Sequence, residues 1–217
     1  VIYIFDICDT LYKSNTTFEF IDFYLVETHQ KRKSVLLKQI RWKYSPVFLL
    51  LFLLGKITKT DCHKSAALQL LKGEKLENLE NLATSFVLKK LSSVSIRETH
   101  KILQDAKKSN ATIFLVSSTI EPVAKAIAGQ LEVNYLSSEI EVSQGLFIGK
   151  LKTDITGKKE KFLNKYIGQN EYTVVTDNFS DYNLVKSATQ KHVVLYKPKH
   201  ASYWKALNPN FIYPEKC

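Results

Sequence analysis

The stretch Val1-Ile2-Tyr3-Ile4-Phe5-Asp6-Ile7-Cys8-Asp9-Thr10-Leu11 sets the frame for the whole chain. Val1–Phe5 is a short apolar run of β-branched and aromatic residues, as in a strand buried on both faces. It leads directly into Asp6, Cys8, Asp9 and Thr10. Polar groups just beyond the carboxyl end of a buried strand lie where open parallel sheets bind their ligands. The run lacks a basic flank, so it is not expected to be a secretory leader.

Downstream, the periodicity over residues 14–92 is helical. Thr16-Thr17-Phe18-Glu19 has the form of a capping box, opening a helix to about His29. Ser45-Pro46 supplies a cap and a first-turn proline ahead of the apolar run Val47–Leu54. Thr58 and Asp61 open another helix, which breaks near Gly73. Glu74–Leu91 spaces Leu76, Leu79, Leu82, Ala83 and Phe86 along one helix face. Ser95-Ile96-Arg97-Glu98 is a second capping box, for a helix ending near Ser109.

After that, strands and helices alternate. Thr112–Val116 reads as a strand, followed by a helix with Pro122 near its start. Asn134–Leu136 reads as a short strand, and Glu139–Ile148 as a hairpin turning at Gly145. Then come helix Lys159–Ile167, strand Tyr172–Thr176, helix Phe179–Thr189 and strand His192–Tyr196. This order predicts an α/β fold, a parallel sheet covered on both faces. The core would be residues 1–13 with 93–217, and the helical insertion 14–92.

Composition agrees with a packed domain. The chain has 217 residues, 45% of them hydrophobic, with twelve Phe and eleven Tyr, which excludes a disordered chain. Its three cysteines, Cys8, Cys62 and Cys217, exclude a disulfide scaffold and point to a reducing compartment, read as the cytoplasm. Cys62 and His63 are adjacent, but no second pair at metal-ligand spacing follows, so zinc is not expected. The longest apolar run, eight residues, is far short of the ~20 that span a bilayer.

In a parallel sheet, the residues just past each strand carry the chemistry. Asp6-Ile7-Cys8-Asp9-Thr10 comes after the first strand, Ser117-Ser118-Thr119 after the second, and Asp177-Asn178-Phe179-Ser180-Asp181 after the strand at 172–176. Lys158-Lys159 opens the helix before that strand. Each part alone also reads as a helix cap or a solvated pair. Together they could converge as hard oxygen ligands, hydroxyls and an ammonium around a Mg²⁺ and a phosphate.

With these four segments in order, the sequence resembles the haloacid dehalogenase (HAD) phosphatase superfamily over nearly its whole length. The motifs are VIYIFDICDTL, IFLVSS, GKKEKFL and VVTDNFSD. The helical insertion after the first strand resembles a type 1 cap, as in the phosphoserine-phosphatase-like branch. The resemblance implies a Rossmann-like core and a Mg²⁺-dependent phosphomonoester hydrolase with Asp6 as nucleophile. It implies Mg²⁺ held by Asp6, the backbone carbonyl of Cys8 and Asp177, with Asp181 direct or through water. It places Thr10, Ser117 and Ser118 around the phosphate. Lys159 fits the lysine motif because Phe162, Leu163 and Tyr166 come after it at helical spacing; Lys158 is the alternative.

One position departs from the family pattern. Cys8 stands where the family has the aspartate that protonates the leaving group, and a thiol of pKa ~8.5 is a poor donor at neutral pH. Asp9 could replace it, although in an extended loop it would point away from the side shared by Asp6 and Cys8. Failing that, either the leaving group needs no acid or the chain is a weakened enzyme, serving as a phosphate-binding or scaffolding protein.

The charge is concentrated. The formal net charge is +10, and residues 28–60 hold eight bases and no acid: Lys31, Arg32, Lys33, Lys38, Arg41, Lys43, Lys56 and Lys59. Next to the apolar run, this segment reads either as a cap helix with solvated lysines or as a surface for an anionic membrane or a lipid-linked phosphate. Nucleic acid is not expected, because no recognised binding motif accompanies the bases.

Overall fold

A computed structural model describes residues 1–168 and 170–215, so Cys217 lies outside the described residues. Cys8 and Cys62 are free thiols. The strands are β1 (Ile2–Phe5), β2 (Thr112–Ile120), β3 (Asn134–Ser143), β4 (Leu146–Thr153), β5 (Tyr172–Thr176), β6 (Gln190–Val194) and β7 (Asn210–Ile212). They form one sheet in the order β4-β3-β2-β1-β5-β6-β7. Neighbours are parallel except for the β3–β4 hairpin.

β1 is central because it is apolar on both faces. Phe5 points into one hydrophobic cluster and Ile4 into the other; Leu115 and Val116 of β2, and Val175 and Val174 of β5, divide the same way. The helical segment contributes α1 (Thr16–Glu27), α2 (Lys31–Arg41), α3 (Pro46–Thr58), α4 (Cys62–Gln69) and α5 (Leu76–Lys89). Its Phe20, Tyr24, Leu37, Leu68 and Phe86 share one cluster with Phe5 and Leu115. Next come α6 (Arg97–Lys108), α7 (Glu121–Leu131), α8 (Lys159–Ile167), α9 (Tyr182–Ser187) and α10 (Ala201–Trp204). Leu163 of α8, Leu184 of α9 and Trp204 of α10 fill the second cluster, on the opposite face. Among the described residues, no helix is long and apolar enough to cross a membrane.

The hairpin fastens the helical segment to the sheet. Gln144 and Gly145 both have positive φ, 50° and 77°, as a two-residue turn between paired Ser143 and Leu146 requires. The strand ahead of this turn is one element over 134–143, not a short strand and then a separate hairpin arm. Backbone bonds Gly73 N–H to Phe147 O, Phe147 N–H to Glu74 O and Leu76 N–H to Gly145 O clamp the α4–α5 loop to it. Gln69 of α4 donates to Gly149 O at 2.9 Å, where φ is +90° and a Cβ would meet the Gln69 side chain at 2.9 Å. Glycine at 149 is therefore what lets α4 approach β4.

Several local readings are corrected. Asn15, not Thr16, caps α1, accepting from Phe18 N–H; the Thr16 hydroxyl turns inward instead. Ser95 does not cap α6: its hydroxyl donates to Ser92 O, and α6 starts without a side-chain cap. Thr58 ends α3, bonding back to Leu54 O, while Asp61 alone caps α4. Residues 179–181 form a single 3₁₀ turn before α9, rather than the first turn of one continuous helix. The strand expected at 192–196 is β6, which begins and ends two residues earlier. β7 carries too little pattern in its three residues to be read from sequence.

Candidate active site

The order of the sheet reverses at β1. The chain builds outward on one side through β2 and β3, then returns to β1's other side with β5. Such a switch point leaves a crevice beyond the carboxyl ends of the strands. Asp6 N–H bonds to Val175 O at 3.0 Å, extending the pairing one residue past β1 and fixing Asp6 at this edge. A cavity of about 330 Å³ lies here, lined by Asp6, Cys8, Asp9, Ser117, Ser118 and Thr119 together with Asp177.

Lys159, 4% exposed, is the lysine that reaches the site. Its Nζ lies 2.6 Å from Asp6 Oδ2 and 2.8 Å from Asp181 Oδ2. Asp181 Oδ2 also accepts from Thr176 Oγ1 at 2.7 Å. Lys158, the alternative, is exposed and lines a neighbouring cavity instead. Thr10 Oγ1 donates to Asp177 Oδ1 and accepts from Asp177 N–H, both at 3.0 Å. Asp6 Oδ1 accepts from Ile7 N–H at 2.7 Å.

Asp9 departs from the extended-loop expectation. Its φ is +50°, a left-handed conformation that swings it onto the wall it shares with Asp6 and Cys8. Its carbonyl accepts from Tyr196 OH at 2.9 Å. Cys8 Sγ contacts Thr16 Oγ1 at 3.0 Å and Thr119 Oγ1 at 3.4 Å, and those two hydroxyls lie 2.6 Å apart. Ser117 Oγ joins the cluster, 3.1 Å from Thr119 Oγ1. A register shift between Ser117 and Ile120, where β2 pairs β3, accompanies the turning of these hydroxyls toward the cavity.

Sequence reasoning missed Lys64. This side chain of α4 is 7% exposed and donates to Ser118 O at 2.9 Å and to Asp154 Oδ1 at 3.3 Å. It brings a cation from the helical segment onto the cavity wall, beside Asn15, Thr17, Phe18 and Asp61. A lysine inside an otherwise mixed helix carries no signal of its own; only the docking of α4 on β4 shows where it points.

The electrostatics arise from burial. Burial and the negative charge of Asp6 push Asp177 up to about 8. Burial also raises Asp181, against the pull of Lys159. Burial disfavours the Lys159 ammonium, but Asp6 and Asp181 outweigh it and hold the group charged. The Cys8 thiol is pushed up by burial and then by Asp6. Asp9 is raised for the same two reasons.

These groups fit a divalent cation. Asp6, Asp177 and Asp181 set three buried or half-buried carboxylates around the Lys159 ammonium, and the same crevice wall adds the carboxylates of Asp9 and Asp61 against the ammonium of Lys64. That excess of negative charge in one crevice is costly unless a cation joins it. Among the described residues no group of three or more His, Cys, Asp or Glu side chains is arranged to hold a metal ion by itself. Mg²⁺ does not need such a group, since it binds one or two carboxylates and completes its shell with water and phosphate oxygens.

A family profile described as haloacid dehalogenase-like hydrolase matches residues 3–185. No sequence match to a curated protein was found. A Bordetella pertussis Tohama I protein of unknown function aligns with TM-score 0.76 at 15% identity, covering 97% of both chains. A phospho-aspartyl intermediate analogue of phosphoserine phosphatase aligns with TM-score 0.59 at 16% identity, covering 99% of this chain and 93% of that one. Cytosolic 5'-nucleotidase IIIB bound to cytidine aligns with TM-score 0.61 at 13% identity, covering 97% and 79%.

Proposed function

The chain belongs to the haloacid dehalogenase-like hydrolase family, and on that basis we propose that it is a phosphatase, hydrolysing a small phosphomonoester through an aspartyl-phosphate on Asp6. The observation that carries this reading is the buried Asp6–Lys159 pair, 2.6 Å apart, which shares the cavity edge with Asp177 at the switch point of the sheet. The phosphoserine phosphatase likeness supports the fold on which such chemistry runs.

Asp6, Asp177 and the Cys8 carbonyl would hold Mg²⁺, which when bound neutralises phosphate charge as a Lewis acid. Asp181 Oδ2 already takes bonds from Lys159 and Thr176, which favours a contact to the metal through water. Lys159 orients Asp6 and adds positive charge against the phosphoryl oxygens. Thr10 fixes Asp177, and Ser117 and Ser118 bind phosphoryl oxygens. Asp6 attacks phosphorus while the bond to the leaving oxygen breaks. That oxygen takes its proton from the Asp9 carboxyl, whose left-handed placement and raised pKa suit it as the acid in place of Cys8. Water then attacks phosphorus and gives a proton to the Asp9 carboxylate, and the bond to Asp6 breaks to free phosphate. Residues 14–92 act as a cap whose Asn15, Thr17, Phe18, Asp61 and Lys64 select the substrate.

Phosphate release from a panel of phosphomonoesters, with Mg²⁺ and with chelator, tests the proposal. Turnover that needs Mg²⁺ and disappears in Asp6→Asn is expected; retained turnover in that variant overturns the intermediate. The neutral, hydroxyl-bound Cys8 thiol favours one second reading, a phosphate-binding protein that has lost catalysis. Saturable phosphomonoester binding without turnover would favour it.

A further inference from the structure

We propose that α3 and the basic residues around it dock on the surface of an anionic lipid bilayer. This surface would serve a phosphatase or a phosphate-binding protein equally.

The helix is apolar nearly all round but has one protein-facing side. Val47, Leu51 and Gly55, four residues apart, are partly buried, and Val47 and Leu51 pack against the main cluster. At Gly55 a Cβ would meet Thr60 O at 3.0 Å, so the chain after the helix folds closely under this face. Phe48 packs on His63 of α4, ring centroids 4.3 Å apart. The opposite side has no cover among the described residues. Leu50 is 59%, Leu53 58% and Ile57 78% exposed, with Leu49, Phe52 and Leu54 beside them, and none of the helix's residues is fully buried. Leu50, Leu53 and Ile57 form a stripe that a water-facing helix would fill with polar residues.

The surroundings of this stripe identify its partner. Exposed Lys31, Arg32, Lys38, Lys43, Lys56 and Lys59 lie on α2, α3 and their flanking segments, and residues 28–60 contain no acid to answer them. Exposed Trp42 and Tyr44 precede α3, with rings 6.3 Å apart. Lys43 and Lys56 lie over the rings of Tyr44 and Phe52, at 5.0 and 4.6 Å. Apolar side chains, amphipathic aromatics and bases match the layers of a membrane interface: acyl chains, headgroup boundary and anionic phosphates. A second copy of the chain would oppose these bases with the same charge. At 13 residues the helix is about 20 Å long, suited to lying in the interface rather than crossing it.

The test uses the full chain with vesicles of phosphatidylcholine alone or with about one third phosphatidylserine. Co-sedimentation with the anionic vesicles is expected, weakened by ~0.5 M salt, with little on neutral ones. Leu50→Glu with Leu53→Glu should weaken binding by roughly 100-fold; both side chains are exposed, and an unchanged thermal unfolding curve verifies the fold. A measurement without mutation complements it. The chain has two tryptophans, and Trp204 is fully buried, so a blue shift of emission on adding anionic vesicles reports Trp42 entering the interface. Absence of both sedimentation and blue shift overturns the proposal. So does a lipid-free dimer that the double variant makes monomeric, accompanied by no vesicle binding, since a second copy would then cover α3.

Discussion

Thr10 and Asp177 hold each other through a two-way latch. The threonine hydroxyl donates to the carboxylate and accepts from the backbone N–H of the same residue, both at 3.0 Å, across the gap between β1 and β5. The two residues are 167 positions apart in sequence. The latch orients a carboxylate that burial and Asp6 push up to about 8, and the Thr10 hydroxyl opposes that rise only in part.

Thr10→Val removes both bonds at nearly constant volume. It should cost about 1–3 kcal/mol of stability and raise the Mg²⁺ concentration for half-maximal activity, while Thr10→Ser retains most of both. Urea unfolding and Mg²⁺ titration of activity measure the two effects. Normal Mg²⁺ dependence in Thr10→Val would mean that Asp177 is positioned by something else.

Lys159→Met leaves Asp6 and Asp181 buried without their ammonium. Removing one partner of a buried ion pair costs about 3–5 kcal/mol. Without metal the variant should unfold at clearly lower urea, and Mg²⁺ should restore part of the loss, because a cation in the crevice offsets the same charges. Equal stability of wild type and variant without metal would show that the pair contributes nothing net.

Asp9→Asn and Cys8→Asp separate the candidates for the proton donor. If Asp9 is the acid, Asp9→Asn should lower turnover of a phosphomonoester with a poor leaving group by about 10²–10⁴-fold. A substrate with a good leaving group should be much less affected. Cys8→Asp should raise turnover of the poor substrate. Full activity in Asp9→Asn, with Cys8 intact, would exclude Asp9.

Lys64→Gln should raise KM about tenfold for a phosphorylated substrate and change kcat little, a loss of roughly 1.4 kcal/mol in binding. The fold should persist because Asp154 keeps its bonds from Ser138 and Thr156. An unchanged KM would show that this cation faces the cavity without touching substrate.

Burial lowers the pKa of both His100 and His192. A depressed folded-state value means that the unfolded chain binds the proton first. Stability is then full above the unfolded pKa of about 6.5 and falls as pH drops from there through the folded values. Between pH ~7.5 and ~5.5, His192→Gln should lose less stability in urea unfolding than the wild type. A single proton limits the difference in slope to about 1.4 kcal/mol per pH step of one, and solvent at the half-buried ring reduces it further. Identical pH slopes would contradict the stated direction.

Local pattern was enough to recognise the buried strands and to point to most of the residues that line the crevice, while the order of the strands came from the structure. Alternation cannot place a strand buried on both faces, but the unbroken apolar runs at 2–5 and 113–116, and the β-branched and aromatic run at 172–175, can, and their facing clusters bear this out. Asp6 and Asp177, directly after their strands, inherit their location from them, whereas Ser117, Ser118 and Thr119, expected after the second strand, lie within β2, which runs on to Ile120. Long-range packing settled the remainder. Thr16 reads as a helix cap locally, yet Asn15 takes that role and the Thr16 hydroxyl joins Thr119, 103 residues away. Lys158 and Lys159 differ by one position, but the α8 start buries the second against Asp6 and exposes the first. Asp9 reaches the crevice through a left-handed turn, and Lys64 through the docking of α4 on the hairpin. A side chain's direction depends on backbone angles and on contacts between distant segments, and neither is encoded in the spacing of residue types along one stretch of chain.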